Sequence, residues 1–288
     1  MSSIRTRKNL GQNLLIDASV RDKIVAATLG SVVTPSDIVI EIGPGDGVLT
    51  FPLSKRALFL LAVEVDSRFC RYLCQRLGEA GNVEVRNADF LRLNLREEIA
   101  NLKERFPEAG AVKIVSNLPF YITTPIITKI IENRSFIDLC VVTVQKEVAE
   151  RFAAVPGSKR YGAITLFLSY YARVNILFSV SKEAFRPKPE VDGAVISLVP
   201  RARPAVEVKD ETLFFRVIRA AFGQRRKMLK NSLRSLGIPE SAINQALHES
   251  GLDPALRPER ISIEDFAALA DALSAASEKE VSKHRAKK

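Results

Sequence analysis

The chain is poor in the side chains that usually build metal centres and disulfide frameworks. Its 288 residues include three cysteines, two histidines and no tryptophan. Cys70 and Cys74 have helical spacing, but no second pair of ligands accompanies them, so we predict no metal site. Together with Cys140, we expect them to be buried thiols in a reducing compartment.

Long apolar segments are missing as well. No stretch reaches the roughly 20 residues that a membrane-spanning helix needs. The basic N-terminus has no apolar segment behind it, so it does not resemble a secretory signal. We therefore predict a cytoplasmic protein that does not associate with membranes, and we expect it to be a monomer.

Basic residues outnumber acidic ones, because the sequence contains 43 Lys and Arg but only 33 Asp and Glu, which gives a net charge of +10. Such an excess suits a polyanionic partner, although it also serves solubility. The segment 212–239 contains no acid, whereas a merely solvated helix face usually mixes both signs. This favours an RNA-backbone surface, with Arg226, Lys230 and Arg234 on one face of a predicted helix. The predicted RNA-binding residues are Arg219, Arg225, Arg226, Lys227, Lys230 and Arg234.

Short apolar runs alternate with helical patterns from about residue 38 to residue 150. Continuous runs of Val, Ile and Leu are typical of parallel strands that are buried on both faces. We therefore predict an α/β fold with a doubly wound, Rossmann-like sheet. The predicted strands of this region are 38–42, 58–65, 83–86, 112–116 and 137–144, and two of its predicted helices are 67–77 and 124–132.

The pattern changes after a last predicted strand at 193–199, because only helical segments follow a proline-containing linker. We predict an α/β domain over 1–203, a small all-helical domain over 204–276, and a basic, disordered tail over 277–288. The predicted helices of the second domain are 212–222, 225–236, 241–249 and 263–273.

A glycine-rich segment, Glu41-Ile-Gly-Pro-Gly-Asp-Gly, follows the first predicted strand of the sheet. Gly43 and Gly45 allow a tight turn and a close approach of the backbone to a ligand. The spacing differs from the dinucleotide fingerprint, because Val48 stands where the last glycine belongs. A plain turn remains the alternative.

Acids at the next two strand ends strengthen the prediction of a ligand site. Glu64 lies at the right distance for a ribose, although Asp66 competes for that role and a solvated charge is the plain alternative. Asp89 follows the strand at 83–86 and is suited to receive an adenine amino group. Because the carboxyl ends of parallel strands share one edge of the sheet, these residues predict a site for a nucleoside cofactor.

The fourth strand ends in Asn117-Leu-Pro-Phe120, which resembles the catalytic motif of amino-group methyltransferases that use S-adenosylmethionine. An exocyclic adenine amine is a poor nucleophile, because its lone pair is delocalised into the ring. Carbonyl acceptors on Asn117 and Leu118 would favour a pyramidal nitrogen, so positioning and electrostatics carry the catalysis. Phe120 would stack on the target base, worth ~1–3 kcal/mol. Phe185 lies in a proline-stiffened segment and would close the other face, unless it is only a rigid connector.

Together these motifs resemble the bacterial small-subunit (16S) ribosomal RNA adenine dimethyltransferases, the KsgA family. The matches extend over most of the chain in one order: Lys8–Asp17, Glu41–Gly45, Asn87–Asp89, Asn117–Phe120, Phe185–Val191 and Ala221–Lys227. The resemblance implies a class I methyltransferase domain over 1–203 and RNA binding by 204–276. It also implies that two methyl groups are transferred to each of two adjacent adenines near the 3′ end of 16S rRNA in the small subunit.

The resemblance further implies that Asn13 and Leu15 help to cap S-adenosylmethionine. With the glycine loop, the predicted cofactor-binding residues are Asn13, Leu15, Gly43, Gly45, Glu64, Asp89 and Asn117. The predicted catalytic residues are Asn117, Leu118, Phe120 and Phe185. The family commonly has Tyr where Phe120 stands, so stacking is retained at this position without a hydroxyl.

Three alternatives remain at the level of sequence. A macrolide-resistance methyltransferase, which modifies one adenine of large-subunit RNA, shares two of the motifs, but Ala221–Lys227 favours the small-subunit enzyme. A non-catalytic ribosome-assembly factor is disfavoured by the intact site residues, although assembly is retained as a second role. A nicotinamide-dependent oxidoreductase leaves Asn117 and the basic segment without a function.

Overall fold

The structure is a computed structural model that describes residues 4, 12–30, 36–224 and 227–285. Its strands are β1 (Leu14–Leu15), β2 (Ile38–Ile42), β3 (Phe59–Glu64), β4 (Val83–Asn87), β5 (Val112–Asn117), β6 (Leu139–Gln145), β7 (Ala172–Val180), β8 (Phe185–Arg186) and β9 (Gly193–Pro200). Its helices are α1 (Ala18–Leu29), α2 (Thr50–Ser54), α3 (Ser67–Leu77), α4 (Leu95–Arg105), α5 (Thr123–Glu132), α6 (Lys146–Phe152), α7 (Ala163–Tyr171), α8 (Glu211–Phe222), α9 (Leu229–Leu233), α10 (Glu240–Glu249) and α11 (Ile263–Arg285).

Seven of these strands form one sheet in the order β4-β3-β2-β5-β6-β9-β7. The first five strands in this order pair in parallel, and β9 runs antiparallel to β6. Every residue of β2 and β3 is buried, as expected of parallel strands covered on both faces. The predicted α/β fold is confirmed.

The order of the strands places a ligand crevice between β2 and β5. From β2 the chain continues to β3 and β4 on one side, whereas β5 and β6 lie on the other side. At such a switch point the loops leave in opposite directions and open a crevice at the carboxyl ends. The register brings Glu64 opposite Asn87 and Asn117 opposite Thr143, all at this edge.

Several elements differ from the sequence-based prediction. Helix α1 and strand β7 were not predicted, and the helix predicted over 225–236 is observed as the short α9, followed by a 3-10 turn that ends at Gly237. Helix α11 continues to Arg285, into the segment predicted to be a disordered tail. Cys70 and Cys140 are buried as predicted, but the prediction was wrong for Cys74, which is exposed.

Contacts between residues divide the chain into two compact units. The first comprises Met1–Ala149 and Arg173–Ala202, and the second comprises Glu150–Ala172 and Arg203–Lys288. The second unit is helical, and Phe214, Leu233 and Phe266 are fully enclosed in its interior. The sequence-based boundaries assigned 150–172 to the first domain, whereas the hydroxyl of Tyr170 donates to Glu211 of α8 at 3.2 Å within the second unit.

Two features are absent from the part of the chain that the structure describes. None of the described helices is both long enough and apolar enough to span a bilayer. Within the same residues, no group of three or more His, Cys, Asp or Glu side chains is placed to hold a metal ion.

Candidate active site

A cleft in the first unit opens at the carboxyl ends of the central strands. Its empty space, including the part that is open to solvent, is about 750 Å³. The predicted residues that line it are Asn13, Gly43, Gly45, Glu64, Asp89, Asn117 and Leu118. The structure therefore brings most of the predicted cofactor and catalytic residues into one wall.

The glycine loop forms the base of this cleft. Gly43 N–H donates to the carbonyl of Val63 at 2.9 Å, which ties the loop to β3. Gly45 has a φ of 55°, and a Cβ at this position would lie 2.8 Å from Cδ2 of Leu14. Glycine is therefore required for Leu14 to approach the loop. The helix that follows, α2, has only five residues, so the loop itself shapes the site.

Glu64 ends β3 as a buried carboxylate that faces the loop. Its Oε2 accepts a hydrogen bond from Gly45 N–H at 3.1 Å, and its Oε1 accepts one from Asp66 N–H at 2.8 Å. Burial raises the pKa of Glu64, and these backbone donors oppose the rise. The carboxylate is thus held in place by the backbone within the cleft wall.

Asp66, which the sequence offered as the other candidate for the ribose contact, already has other partners. Its side chain caps α3 and forms an ion pair of 2.6 Å with Arg68. The hydrogen-bonded guanidinium of Arg68 holds the pKa of Asp66 well below its usual range. Because Asp66 also lies outside the cleft lining, the geometry favours Glu64.

Asp89 also lines the cleft, at the start of the loop after β4. Its Oδ1 accepts a hydrogen bond from Leu91 N–H at 2.9 Å, which begins a 3-10 turn over Phe90–Arg92. Phe90 and Leu91 line the cleft beside it. The loop therefore presents one carboxylate next to an apolar surface, an arrangement suited to a flat ring that carries an amino group.

Asn117 and Leu118 contribute polar groups from the end of β5. The side-chain Nδ2 of Asn117 donates one hydrogen bond to the backbone carbonyl of Asn13 at 2.8 Å, so the amide oxygen is the acceptor that this side chain can offer to a ligand. Leu118 N–H donates to the carbonyl of Thr143 at 3.2 Å. Since the side chain of Leu118 is buried, Leu118 can act only through its backbone carbonyl.

Phe120 and Phe185 do not form the open clamp that the sequence predicted. Phe185 is 3% exposed in the apolar core, and its ring meets Phe120 edge to face at 6.5 Å between centroids. Neither ring is among the described side chains that line the cleft. Leu15 is buried too, because β1 pairs Leu15 with Phe185, and it is Leu14 that lines the cleft.

Other lining residues received no role in the sequence analysis. Tyr121 and Val65 belong to the cleft wall and expose more than half of their surface. Gln12 also lines the cleft, next to Asn13. The position of Tyr121 directly after the tetrad was a usable signal, but its exposure was not readable from the sequence.

The basic segment lies in the second unit and is only partly available to a polyanion. Arg219 and Lys227 are exposed. Lys230 and Arg234 both pair with Glu240, at 2.9 Å and 3.1 Å, and these cations lower the pKa of Glu240. Glu240 directly follows the acid-free segment. Two further predicted residues, Arg225 and Arg226, lie outside the described residues.

The chain is similar to known proteins over most of its length. Residues 3–275 match the family model described as "Ribosomal RNA adenine dimethylase". Two curated relatives, each called "Ribosomal RNA small subunit methyltransferase A", come from Bacillus cereus (strain AH187) and Bacillus anthracis (strain A0248). Both are 44% identical over 272 residues, covering 93% of this chain and 91% of the relative.

Two solved structures share the fold. A dimethyladenosine transferase from Plasmodium falciparum is 24% identical with a TM-score of 0.72, covering 92% of this chain and 98% of that one. The 23S rRNA methyltransferase ErmE is 24% identical with a TM-score of 0.69, covering 91% and 100%. At this identity the two structures establish the architecture alone.

Proposed function

The chain belongs to the ribosomal RNA adenine dimethylase family, and from this we propose that it methylates N6 of adenines in small-subunit ribosomal RNA. The methyl donor is S-adenosylmethionine, and the substrate is a pair of adjacent adenines near the 3′ end of 16S rRNA. Each adenine receives two methyl groups on an assembling small subunit in the cytoplasm, which also makes the protein a ribosome-biogenesis factor. The observation that carries the proposal is the shared cleft of Asn117, Leu118, Glu64 and Asp89.

The chemistry of the residues that line the cleft is suited to S-adenosylmethionine. When bound, this donor supplies a methyl group that is activated by a positively charged sulfur. Glu64 is a buried acceptor suited to ribose hydroxyls, and Asp89 is suited to an adenine amino group. Phe90 and Ile126 offer apolar surface to a purine. The carboxylates also complement the positive charge of the donor.

Asn117 and Leu118 would raise the reactivity of the target amine. The amide oxygen of Asn117 and the backbone carbonyl of Leu118 accept hydrogen bonds from its two protons. This localises the nitrogen lone pair and directs it into the cleft. The bond from Asn117 to the Asn13 carbonyl keeps the amide in this orientation before the substrate arrives. After transfer, one amine proton leaves to water.

Phe120 remains the proposed stacking surface for the flipped-out base. Phe185 supports that ring from behind through its edge contact, since it is buried in the core. This replaces the two-sided clamp with one stacking ring and one supporting ring. A ring held in this way needs no ordering when the base arrives, which favours binding.

The direct test is transfer of labelled methyl groups to unmethylated small subunits, with large subunits and naked RNA as parallel substrates. We expect label at adenine N6 of small-subunit RNA. Asn117→Ala should lose about 10²- to 10³-fold in kcat, the loss typical of removing one preorganised polar contact. Label confined to large-subunit RNA would overturn the proposed substrate. If Asn117→Ala still binds subunits and alters growth, the assembly role is separate from methylation.

A further inference from the structure

Helix α5 connects the Asn117–Leu118 end of β5 to the loop after β4. It starts at Thr123 and carries Ile126 into the cleft wall. Lys129 stands three residues after Ile126, so both side chains lie on the same side of the helix. Lysine side chains usually extend into water, but Lys129 is half-buried.

The ammonium group of Lys129 binds the backbone of the loop after β4. Its Nζ donates to the carbonyl oxygen of Leu91 at 2.8 Å and also to that of Leu93. It lies 5.7 Å from the centroid of the Phe90 ring, close enough for a cation–π contact. One charged group therefore links α5 to the middle of a short turn and to the residue that ends it.

That turn belongs to the candidate cofactor site. It is the turn that Asp89 caps, and Phe90 and Leu91 line the cleft. Hydrogen bonds from a charged donor are about twice as strong as neutral ones, so these two restrain the loop effectively. Desolvation lowers the pKa of Lys129, while the charges of Asp89 and Glu132 oppose this shift. The ammonium is thus kept at the loop despite the loss of part of its hydration.

We propose that Lys129 is a positioning residue for the methyl donor, because it fixes the Asp89–Leu91 loop relative to Asn117 and Leu118. This inference rests on the proposed function, which assigns that loop to the purine of S-adenosylmethionine. Lys129 is not among the described residues that line the cleft. It acts on the bound donor through the loop. Its loss therefore weakens donor binding more than it slows transfer at saturating donor.

The test is calorimetric binding of S-adenosylhomocysteine to the full chain, with Lys129→Met as the main variant. The expected increase in Kd is about tenfold, as for the loss of about one charge-assisted hydrogen bond. Lys129→Arg, which keeps a cationic donor, should restore most of the affinity. Lys103→Met makes the same change at an exposed position of α4 and should leave the Kd unchanged.

A second readout separates positioning from general stability. Hydrogen exchange of the amides of 88–93 should become faster in Lys129→Met, and kcat at saturating donor should stay within about threefold of wild type while KM for the donor rises. If Lys129→Met does not fold, Lys129→Gln, which retains a neutral donor, takes its place.

Two outcomes would count against these ideas, and they are distinguishable. Wild-type protein that does not bind S-adenosylhomocysteine would contradict the proposed function. If wild type binds it, and folded Lys129→Met (or Lys129→Gln in its place) has the same affinity and unchanged exchange at 88–93, the role of Lys129 alone is overturned.

Discussion

Tyr121 exposes 59% of its surface at the cleft, directly after the Asn117–Phe120 tetrad. An aromatic ring exposed in a concave site is a common feature of surfaces that bind a partner. Phe120, in contrast, is half-buried and packed on Phe185. We therefore expect Tyr121 to stack on an RNA base during methylation, beside the base for which Phe120 is the proposed stacking surface.

Substitution of Tyr121 tests this expectation. Tyr121→Ala should lower kcat/KM for small subunits by about tenfold or more, as for the loss of one stacked base, whereas Tyr121→Phe should retain activity. The Kd for S-adenosylhomocysteine should not change, because the loss concerns RNA. Methyl-transfer kinetics and calorimetry measure both quantities. Full activity of Tyr121→Ala would show that its exposure has no role in substrate binding.

The meeting of Glu64, Asp89 and Asn117 in one cleft was predictable, because all three positions follow one simple rule. Each lies at or just after the carboxyl end of a parallel strand, and such ends share an edge of the sheet. Phe185 and Leu15 followed no such rule. Their burial depends on the pairing of β1 with β8, two segments far apart in sequence, so tertiary packing decided where those side chains lie.

At the scale of elements, the strands of the sheet were predicted well, and the errors have physical causes. The central strands are buried on both faces, which gives continuous apolar runs. Strand β7 is largely exposed and mixes polar with apolar residues, so it lacks that signal. Helix α9 is short because a 3-10 turn and Gly237, with a φ of 71°, end it early.

Strand β2 carries another buried carboxyl group, on Glu41. Glu41 is 2% exposed, and its Oε2 accepts no hydrogen bond within the described part of the chain. Burial raises its pKa to about 8, Thr50 opposes the rise, and the charges of Glu64 and Asp46 add to it. The end of β2 therefore keeps a protonated carboxyl group at neutral pH.

This predicts a pH-dependent term in the stability of the sheet. From pH 4.5, the ordinary pKa of a glutamate, to about pH 8, the folded chain holds a proton that the unfolded chain has lost. Stability must therefore fall as pH rises through this interval, by up to ~1.4 kcal/mol per pH unit from this group. Glu41→Gln is neutral throughout and removes the term.

Urea unfolding of both proteins at several pH values measures the effect. The stability of wild type relative to Glu41→Gln should decrease steadily with rising pH. Glu79→Gln, the same change at an exposed position, should show no comparable trend. A difference between wild type and Glu41→Gln that is constant with pH would contradict the protonated state.

At the scale of the whole molecule, the carboxylates of the cleft and the basic segment belong to different units. The first unit holds the carboxylates suited to a cationic methyl donor, and the second holds the basic segment proposed to bind RNA. Glu240, which directly follows that segment, forms ion pairs with both Lys230 and Arg234. This suggests that Glu240 limits the electrostatic contribution of the segment to RNA binding.

Glu240→Gln should therefore strengthen binding to small subunits and steepen its salt dependence. Each additional phosphate contact should change the slope of log K against log salt by about −0.7 to −0.9. Neutralising Arg225, Arg226 and Lys227 together should weaken binding and flatten the slope.

Glu249→Gln is the matched control for Glu240→Gln, because it removes the same charge from helix α10. Glu249 accepts a hydrogen bond from Gln245 at 2.8 Å and pairs with no lysine or arginine among the described side chains. It should leave the slope near that of wild type. If neither Glu240→Gln nor the neutralisation of Arg225, Arg226 and Lys227 changes the slope, the segment is not the RNA-backbone surface.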